Sequence, residues 1–111
     1  MVKQGDIIWL TFDPQAGHEQ AGRRPALVIS NNGFNQTSRK IIMACPITKT
    51  NRNIPAHIKL DNQTRTTGFI LCNHAKFIDI EARNFEFIEK APQEIVLEAI
   101  DIISGIIEAE S

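Results

Sequence analysis

The sequence predicts a mainly β protein with a C-terminal α-helix. Upstream of Pro92, short runs of β-branched and aromatic residues alternate with clusters of Gly, Pro, Asn and Asp, the pattern of strands and turns. Downstream of Pro92, apolar residues recur at three- and four-residue spacing, the pattern of an amphipathic helix. Several short strands followed by one helix are typical of a small, strongly bent antiparallel sheet or barrel.

Three strands are predicted in the first half of the chain. They are Asp6–Phe12, Pro25–Ser30 and Ile41–Ile47, each dominated by apolar and β-branched residues. The tripeptide Asn31-Asn32-Gly33 follows the second strand and predicts a turn. Because Pro46 cannot donate a backbone hydrogen bond, we expect it at a sheet edge, a bulge or a strand end.

Two further strands and two ambiguous segments are predicted in the second half. Apolar residues alternate with polar ones over Ala56–Leu60, which indicates a half-buried strand with His57 pointing to solvent. Gly68–Asn73 is the next predicted strand, whereas Ile78–Ile80 and Phe85–Ile88 are too short to assign.

The terminal helix is predicted to follow Pro92, which suits a first helical turn because its missing N–H is not needed there. Glu94 near the N-terminus of this helix complements the helix dipole. The apolar stripe expected to pack on the sheet consists of Ile95, Val96, Ala99, Ile100, Ile103, Ile106 and Ile107.

One domain is expected to span residues 1–111, because a chain of 111 residues with 42% hydrophobic content can build a single core. The segment Met1–Asp6 is polar and lacks the apolar region of a secretory signal. No apolar run approaches the roughly 18 residues of a membrane span. We therefore expect a cytoplasmic protein.

Metal and cofactor chemistry is not predicted. Cys45 and Cys72 match no CxxC or CxxH pattern, so we expect two reduced structural thiols and no disulfide. The three histidines lack HxH or HExxH spacing, and the GxGxxG, Walker and GxSxG patterns are absent.

Charge is distributed unevenly along the chain. Residues 1–78 contain ten Lys or Arg and four Asp or Glu, a net charge of +6, whereas residues 79–111 contain two and nine, a net charge of −7. The first part could present a basic surface to a polyanion. From charge alone, a mildly basic sheet beside a solvated acidic helix remains the favoured alternative.

The segment Gly17–Ser30, GHEQAGRRPALVIS, places proton-transfer groups beside two arginines. His18 and Glu19 can move protons. The proline after Arg24 favours an extended backbone there, and a guanidinium can hold a phosphate through two parallel hydrogen bonds. From spacing alone, an exposed ion pair between Glu19 and Arg23 or Arg24 is an equal alternative. Thr48, whose hydroxyl ends a predicted strand, is a weaker second candidate.

Four segments of the chain stand out: GHEQAGRRPALVIS, Cys45-Pro46-Ile47-Thr48, Arg65-Thr66-Thr67-Gly68 and the stretch IDIEAR that ends at Arg83. Together they closely resemble the MazF/PemK/Kid family of bacterial toxins from toxin-antitoxin modules. The resemblance runs from Gly5 through the C-terminal helix. It implies an SH3-like barrel of the CcdB/PemK type, a homodimer, and ribosome-independent cleavage of single-stranded RNA at a short sequence. It also implies a MazE/PemI-like antitoxin whose disordered acidic tail fills the RNA groove.

The resemblance also implies which residues act. Arg24 of the GxRP motif and Thr48 of the PxT turn correspond to the residues most tied to catalysis, with Glu19 and His18 as alternative bases. The predicted RNA-binding residues are Arg23, Lys49, Thr50, Arg65, Asn73, Lys76 and Arg83. Because sequence choice in RNA depends on unstacked bases read by loops, Lys49–Pro55 and Asn62–Thr67 are candidate readers. Phe34 and Phe77 could stack on a base, although packing in the core is favoured.

One departure from the family separates this chain from its Kid-like members. Those members carry an Arg-Cys-Asp stretch after RTTG, in which the Arg and Asp are the proposed acid and base. This chain has Leu71, Cys72 and Asn73 instead. Leucine cannot hold a phosphate and asparagine is not a base, so the site resembles MazF-type or ChpBK-type members that rely on the loop arginine and the threonine.

RNA chemistry is consistent with such a site. The 2′-hydroxyl of RNA is its own nucleophile, so attack on the adjacent phosphorus requires a base, a donor to the phosphorane oxygens and an acid, but no metal. Glu19 or His18 would assist deprotonation, and Thr48 and Arg24 would stabilise charge. Two alternatives remain open: a CcdB-like gyrase poison on the same fold, and an inactive SH3-like binding module, which the loss of the Kid-type pair favours.

Overall fold

A computed structural model of the chain describes residues 2–12 and 22–110. Within these ranges the chain forms strands, two α-helices and two short 3-10 helices, Cys72–His74 and Ile80–Arg83. The α-helices are α1 (Asn32–Ser38) and α2 (Gln93–Ile106). The strands are β1 (Asp6–Phe12), β2 (Gly22–Val28), β3 (Ile41–Thr48), β4 (His57–Lys59), β5 (Phe69–Leu71), β6 (Lys76–Asp79) and β7 (Glu86–Lys90).

The described strands form one antiparallel sheet in the order β4-β5-β3-β2-β1-β7, with β6 paired to β3 beside this path. One edge of β3 pairs with β2, whereas its other edge pairs first with β6 and then with β5. Pro46 lies inside β3, between the last residue paired with β6, Ala44, and the first paired with β5, Ile47. Pro46 therefore lies at the point where this edge of β3 changes its partner from β6 to β5. Its missing N–H falls between the two hydrogen-bond ladders and breaks neither of them.

Alternation along the central strands divides the core between the two faces of the sheet. Ile7 on β1 and Leu27 on β2 belong to a cluster that includes buried residues of α2, and we call this side the helix face. Their neighbours Ile8 and Ala26 belong to a second cluster that includes Ile78 of β6, and we call this side the β6 face. Each fully buried Ile or Leu contributes about 1.5–3 kcal/mol to the free energy of folding.

The two cysteines lie in the cluster of the helix face and are free and buried, as predicted. The interaction with the Cys72 thiol, together with burial, raises the pKa of the Cys45 thiol well above its usual range, so that thiol stays neutral.

The terminal helix α2 begins at Gln93, with Pro92 as its N-cap. Its buried residues are Ile95, Val96, Ala99 and Ile103. The predicted stripe is correct as far as Ile103, but Ile106 at the end of the helix and Ile107 just beyond it are exposed. Among the described residues, none of the helices has the length and apolar character needed to cross a membrane.

The turn predicted at residues 31–33 is instead the start of α1. The side chain of Asn31 accepts a hydrogen bond from the backbone N–H of Phe34 at 2.8 Å and caps the helix. The predicted core packing of Phe34 and Phe77 is wrong. Their side chains are 38% and 63% exposed, and their rings contact each other at 5.8 Å between centroids.

The predicted architecture, mainly β with a C-terminal helix, is confirmed, with shifts at several boundaries. The first strand is placed as predicted. The second begins earlier, at Gly22, because it continues to pair with β1. The predicted strand Gly68–Asn73 is shorter because the chain turns into a 3-10 helix at Cys72.

Candidate active site

Arg24 and Thr48 lie on neighbouring strands. β2 and β3 are antiparallel and pair Ala26 with Pro46. This is the last pair of the ladder, and Arg24 and Thr48 each lie two residues beyond it, at the same end of the two strands. Because alternate residues of a strand share a face, both side chains belong to the β6 face. The two residues most strongly predicted to act, although distant in sequence, therefore lie at the same end of two neighbouring strands.

The hydroxyl of Thr48 is oriented from within its own turn. Thr48 is buried, and its Oγ1 accepts a hydrogen bond from the backbone N–H of Thr50 at 3.3 Å. A hydroxyl carries one proton in addition to its acceptor lone pairs, so Thr48 can still donate to an anion. Thr50, a predicted RNA contact, has an exposed side chain and a backbone that orients Thr48.

Gly68 packs against the backbone of Thr48. Its φ is +120°, and a Cβ at this position would collide with the carbonyl oxygen of Thr48. The next residue, Phe69, pairs directly with Thr48 across β3 and β5. Only glycine therefore allows β5 to approach Thr48 this closely.

Residues 13–21, which join β1 to β2, lie outside the described residues, and His18 and Glu19 are among them. The assignment of either one as the base therefore remains a prediction. Phe12 and Gly22, the described residues on either side, pair with each other two residues from Arg24.

Lys76 contributes a further cation to the β6 face. It pairs with Ala44 of β3, and its Nζ lies 5.8 Å from the centroid of the Phe12 ring, within the range of a cation–π contact. Because Phe12 lies beside the start of β2, the charge of Lys76 lies toward the end of the sheet that carries Arg24.

Arg23 lies on the helix face, opposite to Arg24. Its Nη1 donates a hydrogen bond to the carbonyl oxygen of Asn84 at 2.7 Å, and its Nη2 lies 3.6 Å from Oε1 of Glu86. Its guanidinium carbon lies 6.0 Å from the centroid of the Trp9 ring. The guanidinium of Arg23, a predicted RNA-binding residue, is therefore paired with acceptors of the protein itself.

A groove on the helix face contains two other predicted RNA-binding residues, Lys49 and Arg65. Its volume is about 280 Å³. Nη2 of Arg65 donates to the carbonyl oxygen of Ile88 at 2.8 Å, which holds this guanidinium against β7. The lining of the groove, which we call the Trp9 groove, consists of Trp9, Pro25, Ile47, Lys49, Arg65, Thr66, Thr67 and Ile88.

Glu89 lies beside this groove. Burial opposes ionisation of its carboxyl, but hydrogen bonds from Thr66 and the backbone of Arg65, together with the charge of Arg65, outweigh burial and lower its pKa. Glu89 is therefore a carboxylate at neutral pH.

Asn73 and Arg83 lie apart from these two groups. Oδ1 of Asn73 lies 3.0 Å from Nε2 of His57. His57 is half-buried, less exposed than predicted, and its Nδ1 has no hydrogen-bond partner among the described residues. Arg83 is half-buried in the 3-10 helix Ile80–Arg83, next to the residue whose carbonyl accepts from Arg23.

Residues 3–104 match the family described as "PemK-like, MazF-like toxin of type II toxin-antitoxin system". The chain belongs to this toxin family. The endoribonuclease PemK of Escherichia coli is 33% identical to the toxin over 96% of the toxin's chain and 82% of its own. The endoribonuclease toxin ChpB of Escherichia coli strain K12 is 33% identical over 96% and 94%. Both relatives support the predicted enzyme class, endoribonuclease.

Solved structures agree with this assignment. The crystal structure of MazF from Deinococcus radiodurans matches the toxin with a TM-score of 0.90 and 32% identity, over 97% of each chain. The crystal structure of MazE-MazF from the same organism matches with a TM-score of 0.84 and 32% identity, over 98% of the toxin and 97% of that chain. These matches confirm the predicted fold class, and the bent antiparallel sheet is consistent with an SH3-like barrel.

The toxin has a structural residue where Kid-like members carry a cation. Leu71 is 1% exposed and pairs with His57 across β4 and β5. Asn73, at the position of the Kid-type Asp, accompanies His57 instead. The Kid-type acid and base pair is therefore replaced in this toxin by a packed core residue and a polar contact.

Sequence reasoning missed two residues at the site, Gly68 and Glu89. Gly68 carried a weak signal, since a glycine between a polar loop and a strand often marks a close approach of two backbones. No sequence signal indicated Glu89, because its partners Arg65 and Thr66 are 24 and 23 positions away.

Proposed function

We propose that this toxin is a sequence-specific, metal-independent endoribonuclease that cleaves single-stranded RNA, including mRNA, by attack of the 2′-hydroxyl. The products carry a 2′,3′-cyclic phosphate and a 5′-hydroxyl. The observation that supports the proposal is the antiparallel pairing of β2 with β3, whose last pair, Ala26 with Pro46, lies two residues from both Arg24 and Thr48. A guanidinium and a hydroxyl that extend from the same end of two neighbouring strands can donate to the same phosphate.

The proposed step divides the work among few groups. Glu19 or His18 takes the proton of the 2′-hydroxyl, whose oxygen attacks phosphorus while the bond from phosphorus to the 5′-oxygen breaks. Thr48 and Arg24 donate hydrogen bonds to the phosphorane oxygens, and the departing 5′-oxygen takes a proton from a water molecule. Because a guanidinium has a pKa above about 12, Arg24 serves this step better by stabilising charge than by giving a proton.

Substrate recognition is assigned to the cations and loops around this pair. Lys76 on the β6 face and Lys49 and Arg65 in the Trp9 groove can attract phosphates. The half-exposed Trp9 ring offers a stacking surface to an unpaired base. The loops 49–55 and 62–67 would then decide which bases are accepted.

The antitoxin partner follows from the same family. The MazE-MazF structures of Deinococcus radiodurans hold a toxin relative together with an antitoxin. An acidic antitoxin segment would compete with RNA for the basic residues of this toxin. We propose that a MazE/PemI-like antitoxin binds here and that cleavage of mRNA in the cytoplasm blocks translation and growth.

We propose further that residues 1–111 act as one toxin domain within a homodimer. The exposed apolar side chains of Phe77 and Phe87, which are 63% and 58% exposed, offer surface to a second copy. Sedimentation of the purified toxin at micromolar concentration tests this point, since a monomer would contradict it.

The test of the activity is cleavage of a long single-stranded RNA in EDTA by the wild type and by Arg24→Ala. We expect metal-free cleavage by the wild type, ends that carry a cyclic phosphate, and a loss of about 10²- to 10³-fold in kcat for the variant. Absence of cleavage by the wild type would overturn the proposed function. Cleavage that survives in Arg24→Ala would overturn the assignment of the site.

A further inference from the structure

Glu89 connects the two ends of the sheet. It lies on β7, the last strand of the path, whereas the loop that contacts it joins β4 to β5 at the other end. Oε1 of Glu89 accepts from the backbone N–H of Arg65 at 3.0 Å. Oε2 accepts from both the backbone N–H and the hydroxyl of Thr66, each at 2.7 Å. One carboxylate thus closes the described sheet with three hydrogen bonds.

Further hydrogen bonds hold the loop between β4 and β5 as far as Gly68. The buried hydroxyl of Thr64 donates to the carbonyl oxygen of Thr66 at 2.7 Å. The backbone N–H of Leu60 donates to the carbonyl oxygen of Gly68 at 2.9 Å. Because only residue 67 separates Thr66 from Gly68, we expect a shift at Thr66 to reach Gly68.

Gly68 in turn touches the backbone of Thr48, where even one added carbon atom would collide with the carbonyl oxygen. The pairing of the buried Ile47 with Ile70 holds this part of β3 against β5. Gly68 therefore limits the positions that the Thr48 backbone can take on the side that faces β5.

We propose that Glu89 is a positioning residue of this toxin: by holding Arg65 and Thr66, its carboxylate seats Gly68 against Thr48 and fixes the Thr48 hydroxyl for RNA cleavage. The inference rests on the proposed function. It assigns to Glu89 no contact with RNA, and its whole effect passes through Thr48.

The charge of Glu89 suits this role. Three donors converge on its two oxygens, and its lowered pKa keeps it ionised under neutral conditions. In Glu89→Gln, one oxygen becomes an NH₂ group that would face donors, so at least one of these bonds is lost at nearly unchanged volume.

A double-mutant cycle with Thr48→Val tests the proposal. We expect Glu89→Gln to lower kcat by about tenfold to a hundredfold, the cost of a misplaced catalytic group, with KM changed much less. In the Thr48→Val background, the same change should cost less than about twofold, because coupled residues are not additive. Equal losses in both backgrounds would show that Glu89 only supports the fold and would overturn the proposal.

Glu108→Gln is the matched control, because it removes one carboxylate from an exposed residue beyond α2, and we expect unchanged kcat. If Glu89→Gln does not unfold cooperatively on heating, Glu89→Asp takes its place. It keeps the charge on a shorter side chain and should again lose activity only when Thr48 is present.

Hydrogen exchange provides a readout that does not need activity. The amide of Thr50, which donates to Thr48 Oγ1, should exchange faster in Glu89→Gln than in the wild type, whereas the amide of Ile103 in α2 should not change. If the wild type fails to cleave RNA, the proposed function is overturned. The comparison of amide exchange rates still tests whether Glu89 positions Thr48. Unchanged exchange at Thr50 would overturn the positioning role.

Discussion

The β6 face and the Trp9 groove both carry cations, yet they hold them differently. On the β6 face, Arg24 and Thr48 extend from the two central strands β2 and β3, whose registers fix their direction. In and beside the groove, Arg23 and Arg65 give hydrogen bonds to backbone carbonyls of Asn84 and Ile88. The β6 face presents a pair of hydrogen-bond donors, Arg24 and Thr48. In and beside the Trp9 groove, the arginines partly stabilise the fold.

This difference shows what adjacency in sequence does and does not imply. Arg23 and Arg24 are consecutive in β2, so their side chains lie on opposite faces of the sheet. Two adjacent arginines in a strand can therefore serve two separate regions of the surface. We expect chemistry at one region and binding or stability at the other.

The largest expected effect separates the two arginines. Arg24→Ala should lower kcat on a single-stranded RNA by about 10²- to 10³-fold, the usual cost of removing one preorganised donor. Arg23→Ala should change KM more than kcat, since this side chain lies on the other face. Steady-state rates for both variants measure the contrast, and a greater loss of kcat in Arg23→Ala would reverse it.

The second prediction concerns the glycine that joins the two regions. Gly68→Ala forces a Cβ against the carbonyl oxygen of Thr48 at a φ of +120°. We expect it to lower the free energy of unfolding by about 2–4 kcal/mol, as measured by denaturant titration.

Gly105 provides the matched control, because a Cβ there meets nothing within 4 Å. Gly105→Ala lies in α2 and should raise stability by as much as about 1 kcal/mol, the helix propensity difference between glycine and alanine. Equal effects at the two glycines would show that β5 is free to move away from Thr48.

The third prediction tests binding in the groove. For a non-cleavable single strand, the affinity should fall with salt, and Lys49→Ala should reduce the slope of log K against log salt by about 0.7 for one lost phosphate contact. Lys40→Ala is the control, because its Nζ lies 3.4 Å from Oε1 of Glu81, and we expect no change in slope. An unchanged slope in Lys49→Ala would remove the groove from the RNA path.

The smallest effect is the response of stability to acid. The folded-state pKa of Glu89 is lowered, so its stabilising contribution is present above the unfolded-state pKa and is lost as pH falls through the folded-state pKa. Thermal unfolding of Glu89→Gln should therefore lose part of the acid sensitivity of the wild type. Identical pH profiles of Tm would show that this carboxylate contributes no proton linkage.

The sequence was most informative where the determining contacts are local. β1 was predicted closely from its β-branched and aromatic residues, and the start of α2 from Pro92 and apolar residues at three- and four-residue spacing, because these signals depend only on neighbours. The helix α1 was missed because NGFNQTS is polar and helix-poor, and its formation depends on the cap at Asn31 and on the buried Asn35. The contact of His57 with Asn73 was not predicted because the two residues belong to different elements.

For the site, Arg24 and Thr48 were selected by resemblance and by chemistry, and their register could not be derived from spacing. The residues that support Thr48 could not be predicted from the sequence. The role of Gly68 depends on a backbone from another strand, and that of Glu89 on a loop from the opposite end of the sheet.

The pairing of β1 with β7 has a consequence for synthesis of the toxin. Asp6 pairs with Lys90, and the side chains of these residues form an ion pair at 2.8 Å. During translation, β1 is made first and must wait for β7, and the Glu89 closure waits with it. Such long-range contacts also form slowly, because a large loop has to close before they contribute. The pairing of β1 with β7 and the contacts of Glu89 with the β4–β5 loop should therefore be among the last parts of the sheet to form.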